Sequence, residues 1–420
     1  MHRRSSGVNR VSTTIIRNDS RIEVDGRAKL ADRLSRRTSS GRYMPEVDGV
    51  RFLAIGIVVA VHLFAVAGLS SGRLVIVPPF GPIIARSSRD PRLVAFLQYG
   101  HVGVFLFFIL SGFVLALPFI RWRVMGEKPV ALSTYFLRRV TRIEPPFIVV
   151  TIVLFLVSIA LHERSTTDHL IATLAYSHQA AYGQLSPIDG VFWSLEAEVQ
   201  WYLIVPLLAF VLCRGTPRER LLLIAIALVG TLVIQVWLGI GILSRIALLD
   251  NLEFFLIGWL LAEIHVTRLH ERSRKSAYLD VVGLVCLPLL FVALHVHSPS
   301  WRVTLPVLGG VAIGAALHGR YFTRVLSMRW IAIIGGMCYS IYLLHYPILV
   351  VGVRILHSGG VIHGYWLWPL CAVLLLSALV LSAAFFVAVE RPCMDPAWVD
   401  RVVAHVRHAL SSAGTSHPLR

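Results

Sequence analysis

Runs of about twenty consecutive apolar residues recur along almost the whole chain, and no other feature constrains the fold as tightly. A lipid interior offers no water to backbone N–H and C=O groups. A spanning segment must therefore satisfy them internally, as a helix or within a closed barrel. Barrel strands alternate apolar with polar residues, whereas these runs are continuously apolar, which excludes the barrel. Composition agrees: 56% of the 420 residues are hydrophobic and 15% are charged, against about 25% charged in an average soluble domain. The expectation is an all-α, polytopic integral membrane protein.

Ten spans are expected, at 50–69, 94–120, 146–161, 198–213, 221–240, 250–266, 279–295, 303–318, 331–353 and 365–389. Pro118 is expected to break the second. Residues 1–44 read as a basic, disordered tail without the apolar stretch of a cleavable signal peptide. Residues 45–392 read as the membrane domain and 393–420 as a short tail. With the N-terminus inside, 31 of the 40 Lys and Arg fall in inside segments and 8 in outside segments. That bias predicts cytoplasmic termini and a multi-pass protein of the cell (inner) membrane. The net charge of +17 would suggest nucleic acid in a soluble chain. Here the cations set topology, and no nucleic-acid partner is expected.

The five cysteines are scattered and read as small packing residues, without the spacing of a disulfide framework or a metal site. No phosphate loop, HExxH, GxSxG or dinucleotide fingerprint is present. No internal repeat is evident, which counts against an inverted-repeat transporter.

Ionisable residues inside spans are costly and so mark candidate functional sites. Arg51 and His62 are eleven residues apart in span 1. On a helix they share a face to within about 20° and lie about 16 Å apart along the axis; His62 by itself suits a site role or a structural hydrogen bond to a neighbouring helix equally. Asp48 has an N-cap role available. Arg139 and Arg142, at i and i+3, share a face that could grip phosphates or could simply carry positive-inside charge. Glu196 and Glu198 differ by about 200° on a helix, so at most one faces a bundle interior. Tyr339, Tyr342 and His345 or Tyr346 form a stripe that suits either an interfacial aromatic belt or a pocket lining. Glu253, His101 and Glu390, near span ends, are explained by snorkelling.

Together these segments resemble the membrane-bound acyltransferase family 3, the bacterial O-acyltransferases. The resemblance rests on Asp48-Gly-Val-Arg51 with His62, Gly103 through Ser111-Gly112-Phe113, and Arg139-Val-Thr-Arg142. It extends through Trp193-Ser194-Leu to Glu198 with Gln200-Trp201-Tyr202, Tyr339-Ser-Ile-Tyr342-Leu-Leu-His345-Tyr-Pro347, and Val389-Glu390-Arg391-Pro392. These run in the family's order. The chain departs from the pattern at Phe105, where an acidic residue is common, at Phe52, where Gly is common, and at Glu196, where a small residue is usual.

The resemblance implies a ten-helix enzyme that moves an acyl group from cytoplasmic acyl-coenzyme A (acetyl-coenzyme A or similar) to a hydroxyl. The acceptor would be a glycan, a glycolipid or a secondary metabolite. No tightly bound cofactor and no metal are implied. Catalysis would fall to His62, with Glu198 or Glu196, and donor binding to Arg51, Arg139 and Arg142. Trp193, Ser194, Tyr342 and His345 would bind substrate. About 30 residues follow span 10, too few for the appended hydrolase-like domain of some members. The bottom-up reading meets this at one point: a basic inner lip suits donor phosphates, and a deeper histidine suits the thioester. That histidine must be neutral to act as a base, which a desolvated site favours. The rival classes are a transporter or flippase for an anionic or lipid-linked substrate, with His62 relaying protons, and a structural scaffold.

Overall fold

The computed structural model describes residues 31–36, 43–69, 74–76, 83–85, 100–161, 166–243, 246–270, 275–295, 301–358, 367–395 and 398. Its helices in chain order are α1 (Pro45–Leu69), α2 (Gly100–Met125), α3 (Leu132–Ala160), α4 (Thr167–Leu174), α5 (His178–Tyr182), α6 (Trp193–Leu212) and α7 (Pro217–Leu243). They continue with α8 (Leu252–His270), α9 (Ala277–His295), α10 (Trp301–His318), α11 (Tyr321–Leu326), α12 (Arg329–Gly336), α13 (Cys338–Ser358) and α14 (Leu367–Phe385). A π-helical turn, Phe386–Glu390, and a short helical turn, Arg391–Cys393, extend α14. Between α1 and α2, strands β1 (Leu74–Ile76) and β2 (Ile83–Ala85) pair antiparallel, with Leu74 opposite Ala85.

Among the described residues, nine helices are long and apolar enough to cross a membrane, where ten were expected. The expected sixth span falls on α8, which carries Glu253, Glu263 and Arg268. Its two glutamates are tolerated because they are buried inside the bundle and find donors there. Phe254, Phe255, Trp259 and Ala262 are fully buried there. Glu263 accepts from Arg220 at 2.6 Å, and Glu253 from Gln235 at 2.6 Å. By contrast α7, α9 and α14 turn most of their surface outward, with Trp237, Leu284 and Leu376 exposed to the lipid side. Water does not drive helices together inside a bilayer, so close packing has to. On α2, a Cβ at Gly112 would stand 2.1 Å from the Phe255 carbonyl oxygen, and on α8 one at Gly258 would stand 2.0 Å from that of Ile109. The two backbones touch because neither residue has a side chain.

Several expected boundaries move. Pro118 does not break span 2, since α2 runs through it to Met125. The basic stretch expected as a loop before span 3 is helical, and α3 passes through Pro145 and Pro146. A proline cannot donate to the carbonyl four residues back. Side chains take up that duty: Trp398 donates to the Thr141 carbonyl at 3.2 Å, and Tyr135 donates at 3.1 Å to the Tyr202 carbonyl left free by Pro206. The fourth span begins earlier, at Trp193. Span 9 divides at Met337 into α12 and α13, where Gly335 packs directly on the Asp48 carbonyl. The long loop after span 3 contains α4 and α5.

All five cysteines are buried and unbridged, as expected of packing residues. Of the basic tail, residues 31–36 are described, and Ala31 is buried against Ile333, Met337 and Phe386. The rest of residues 1–42, and 399–420, lie outside the described residues.

Candidate active site

A cavity of about 590 Å³ opens between α1, α2, α3, α6 and α13. Arg51, Arg139, Arg142, Ser194, Glu198 and Tyr342 all line it. His62, His345, Trp193 and Glu196 do not.

The basic end is built from α1 and α3. Asp48 is not an N-cap. It lies inside the first turn of α1, fully buried, and pairs with Arg51 at 2.5 Å and Arg36 at 3.1 Å. Arg139 and Arg142 share one face of α3 as their spacing predicts. Arg139 donates to the Tyr135 carbonyl at 2.9 Å and lies 4.0 Å over the Tyr135 ring. Arg142 stands 3.7 Å from Glu390.

Snorkelling does not describe Glu390 or Glu253, which are 0% and 1% exposed. The π-turn inserts an extra residue at the end of α14 and swings Glu390 inward. There its carboxylate accepts from the Ser340 hydroxyl at 2.6 Å and the Ser340 N–H at 3.0 Å. Glu253 meets Gln235 and Arg302 instead of the interface.

The two glutamates of α6 diverge as their 200° separation requires. Glu198 faces the cavity and accepts from Ser111 at 2.7 Å and from the Tyr202 hydroxyl. Glu196 turns away and accepts from the Gln179 N–H at 3.1 Å, at the start of α5. It holds the segment that carries α5 and does not reach the cavity.

His62 and His345 meet, Nδ1 to Nε2, at 3.1 Å. Nδ1 of His345 lies 2.8 Å from the Tyr342 carbonyl and 3.0 Å from that of Ile341. Carbonyls only accept, so His345 carries its proton on Nδ1 and offers the Nε2 lone pair. For two neutral rings, His62 then donates from Nδ1 and keeps its own lone pair on Nε2. The pair adjoins the cavity through its neighbours: Val58, one turn before His62, and Tyr342, one turn before His345, both line it.

The aromatic stripe of α13 is buried lining and not an interfacial belt. The Tyr342 hydroxyl lies 3.1 Å from the Ser194 hydroxyl and donates to the Val191 carbonyl at 2.5 Å. The Tyr339 hydroxyl donates to the Ile143 carbonyl at 2.9 Å. Trp193 packs edge-on to Phe108 and beside His101, on the far side of the wall. In the segment leading to α6, Asp189 is fully buried. Burial pushes its carboxyl well above the usual range, although the N–H of Val191 donates to it at 3.0 Å.

Ser111, Tyr202, Glu390 and Arg36 were not singled out by their sequence context as site residues. Tyr202 could have been, because it stands four residues after Glu198 on one helix. Ser111 and Arg36 could not, because nothing local points across helices.

The family model described as an acyltransferase domain matches residues 44–388. Over 351 residues the chain is 25% identical to the peptidoglycan O-acetyltransferase OatA of Listeria monocytogenes, covering 76% of this chain and 51% of that protein. Over 346 residues it is 25% identical to an O-acetyltransferase of Staphylococcus aureus, covering 74% and 51%. The chain spans about half the length of these relatives. Over 368 residues it is 25% identical to a Komagataeibacter xylinus protein named as a membrane-bound transacylase, covering 83% of each. No solved structure matches the chain at comparable significance. With most of its length inside that one family model, the chain belongs to the acyltransferase 3 family, and its described residues hold nine helices long and apolar enough to cross a membrane.

Proposed function

We propose that the protein transfers a short acyl group from cytoplasmic acyl-coenzyme A to a hydroxyl of a glycan, glycolipid or secondary-metabolite acceptor. One observation carries this reading: a single cavity joins a basic end at Arg51, Arg139 and Arg142 to a wall adjoining the His62–His345 pair. Coenzyme A has its phosphates at one end of a long arm and its thioester at the other, and that layout fits. In this reading α8 is the tenth span. Both termini are cytoplasmic, residues 1–44 and 393–420 lie at the cytoplasmic face, and the basic end opens there, in keeping with the distribution of Lys and Arg.

The Nε2 lone pair of His62 takes the acceptor hydroxyl proton as oxygen attacks the thioester carbon. The new C–O bond forms, the C–S bond breaks, and the proton passes from His62 to the departing thiolate. Ser194 and Tyr342 place hydroxyls beside the reacting carbonyl, and Glu198 orders Ser111 and Tyr202 around the arm. The names of the Listeria and Staphylococcus relatives favour an acetyl donor, and the Listeria name a glycan acceptor.

The test is transfer of labelled acetyl from acetyl-coenzyme A to endogenous glycan in membranes carrying the protein. Covalent label on the acceptor that disappears in His62→Ala is the expected result. Movement of substrate across the membrane with no covalent change would overturn the reading in favour of a transporter. Label trapped on His62 itself would replace the direct step with an acyl-histidine relay.

A further inference from the structure

We propose that Arg36, on the segment preceding the family domain, is a donor-phosphate residue that also positions Arg51. The segment that follows the domain clasps it to the cavity. The proposal rests on the cavity being the acyl-coenzyme A site.

Residues 31–36 lie before the matched region 44–388, yet they pack on it. Ala31 is buried with Ile333, Met337, Phe386 and Met394. Arg391, beyond the matched region on the other side, donates to the Asp32 carbonyl at 3.1 Å and the Ser35 carbonyl at 3.4 Å. Met394 lines the cavity, and Trp398 caps the Thr141 carbonyl one residue from Arg142. Two flanking segments therefore meet at the arginine end, and Arg36 projects from one of them into the cavity lining.

Arg36 and Arg51 both donate to the same oxygen of Asp48. One carboxylate cannot offset two guanidinium groups. Burial, then Arg142 and then Arg51, push the Arg36 guanidinium below its ordinary range, and Asp48 only partly restores it. The Arg36 Nε is buried with no hydrogen-bond partner among the described residues. Among the described residues, seven cationic side chains and two carboxylates line this cavity. A buried N–H donor without a partner, amid that excess of positive charge, calls for an anion from outside. Phosphate oxygens supply both the charge and the acceptors. Without Arg36, Asp48 would draw Arg51 wholly to itself; with Arg36 sharing the carboxylate, Arg51 stays turned to the cavity.

The experiment uses the full chain in detergent. Coenzyme A binding by calorimetry is measured alongside acyl-transfer kinetics and thermal stability. Arg36→Ala should weaken coenzyme A and raise the donor KM by about tenfold or more, as loss of a charge-assisted bond implies. Its kcat should stay within about twofold, and Arg36→Lys should recover part of the loss. The Arg36→Ala, Arg51→Ala double variant should lose less than the product of the single losses, because both act through Asp48. Arg391→Ala, which frees the clasp but keeps Arg36, should weaken coenzyme A by a smaller factor. Unchanged affinity in Arg36→Ala, or an equal fall in kcat and stability that Lys does not rescue, would overturn the proposal. Arg142→Ala separates the two layers. If it weakens coenzyme A while Arg36→Ala does not, only the role of Arg36 falls. If neither matters, the donor cavity itself is wrong.

Discussion

His62 Nδ1 and His345 Nε2 lie 3.1 Å apart, joining α1 to α13 across 283 residues of sequence. The carbonyls that hold His345 fix its tautomer, and through it the tautomer of His62. His345 is thus a positioning residue, and its loss should show in kcat and leave donor KM unchanged. His62→Ala should lower turnover by at least about 10²-fold, the usual contribution of a general base. His345→Ala should cost about 10- to 100-fold, a share of that same contribution. His345→Gln should recover part of it, because the amide oxygen reaches the place of Nε2. Steady-state kinetics on the three variants checks this, and a His345→Ala enzyme with wild-type kcat would refute the positioning role.

Arg142 has two partners in this account, the donor phosphate and the buried Glu390 at 3.7 Å. Arg142→Ala should raise the apparent KM for acyl-coenzyme A by 1.5–3 kcal/mol, roughly 10- to 150-fold, per lost charge-assisted bond. Lys at this position should rescue only partly, since it lacks the planar fork. Arg142→Ala should also lower the melting temperature, because Glu390 is left fully buried with Ser340 as its remaining partner. Arg139→Ala should raise KM without that loss, since its own partner is a carbonyl. Equal melting temperatures for the two variants would deny Arg142 its structural half.

Much of the fold is legible in the sequence because lipid allows few answers. The apolar runs gave the helices, and the eleven-residue spacing put Arg51 and His62 on one face of α1. Local spacing also separated Glu196 from Glu198. Illegible were relationships across helices. Nothing near His62 names His345 as its partner, and nothing near Arg142 names Glu390. Glu253 and Glu263 fall in a stretch read as a span, and nothing local names Gln235 and Arg220 as the partners they find inside the bundle. Pro118 reads as a break because nothing local shows how a helix continues through it, and at Pro145 the donor that caps the freed Thr141 carbonyl, Trp398, lies far along the chain.

The crossing of α2 with α8 gives a stability prediction independent of chemistry. Gly258→Ala places a methyl 2.0 Å from the Ile109 carbonyl oxygen and 2.7 Å from the Phe113 nitrogen. Both are backbone atoms and cannot swing aside, so the helices must separate. The cost should be at least the roughly 1–3 kcal/mol of an overpacked core, read as a lower melting temperature in detergent. Gly56→Ala is the control, with nothing within 4 Å of its added methyl. It should be neutral or stabilising by up to about 1 kcal/mol, as for an exposed helical glycine. Similar losses in both variants would mean that close backbone approach is not what holds the pair.

The last prediction separates the two glutamates of α6. Glu198 sits on the cavity with Ser111 and Tyr202 donating to it, and its charge orders both hydroxyls. Glu198→Gln keeps an acceptor but loses the charge, so one donor must weaken. Turnover should fall about tenfold or more, within the range of an acid–base or charge-positioning group, with the melting temperature little changed. Glu196 instead secures the first turn of α5 through the Gln179 N–H at 3.1 Å. Glu196→Gln should cost about 1–3 kcal/mol of stability for a weakened buried charged acceptor. Its turnover should stay within about twofold at temperatures where the protein remains folded. Comparing kcat with melting temperature for each variant decides the matter. If Glu196→Gln loses turnover at unchanged stability while Glu198→Gln does not, the carboxylate that serves the chemistry is Glu196, and the cavity face of α6 has been assigned the wrong role.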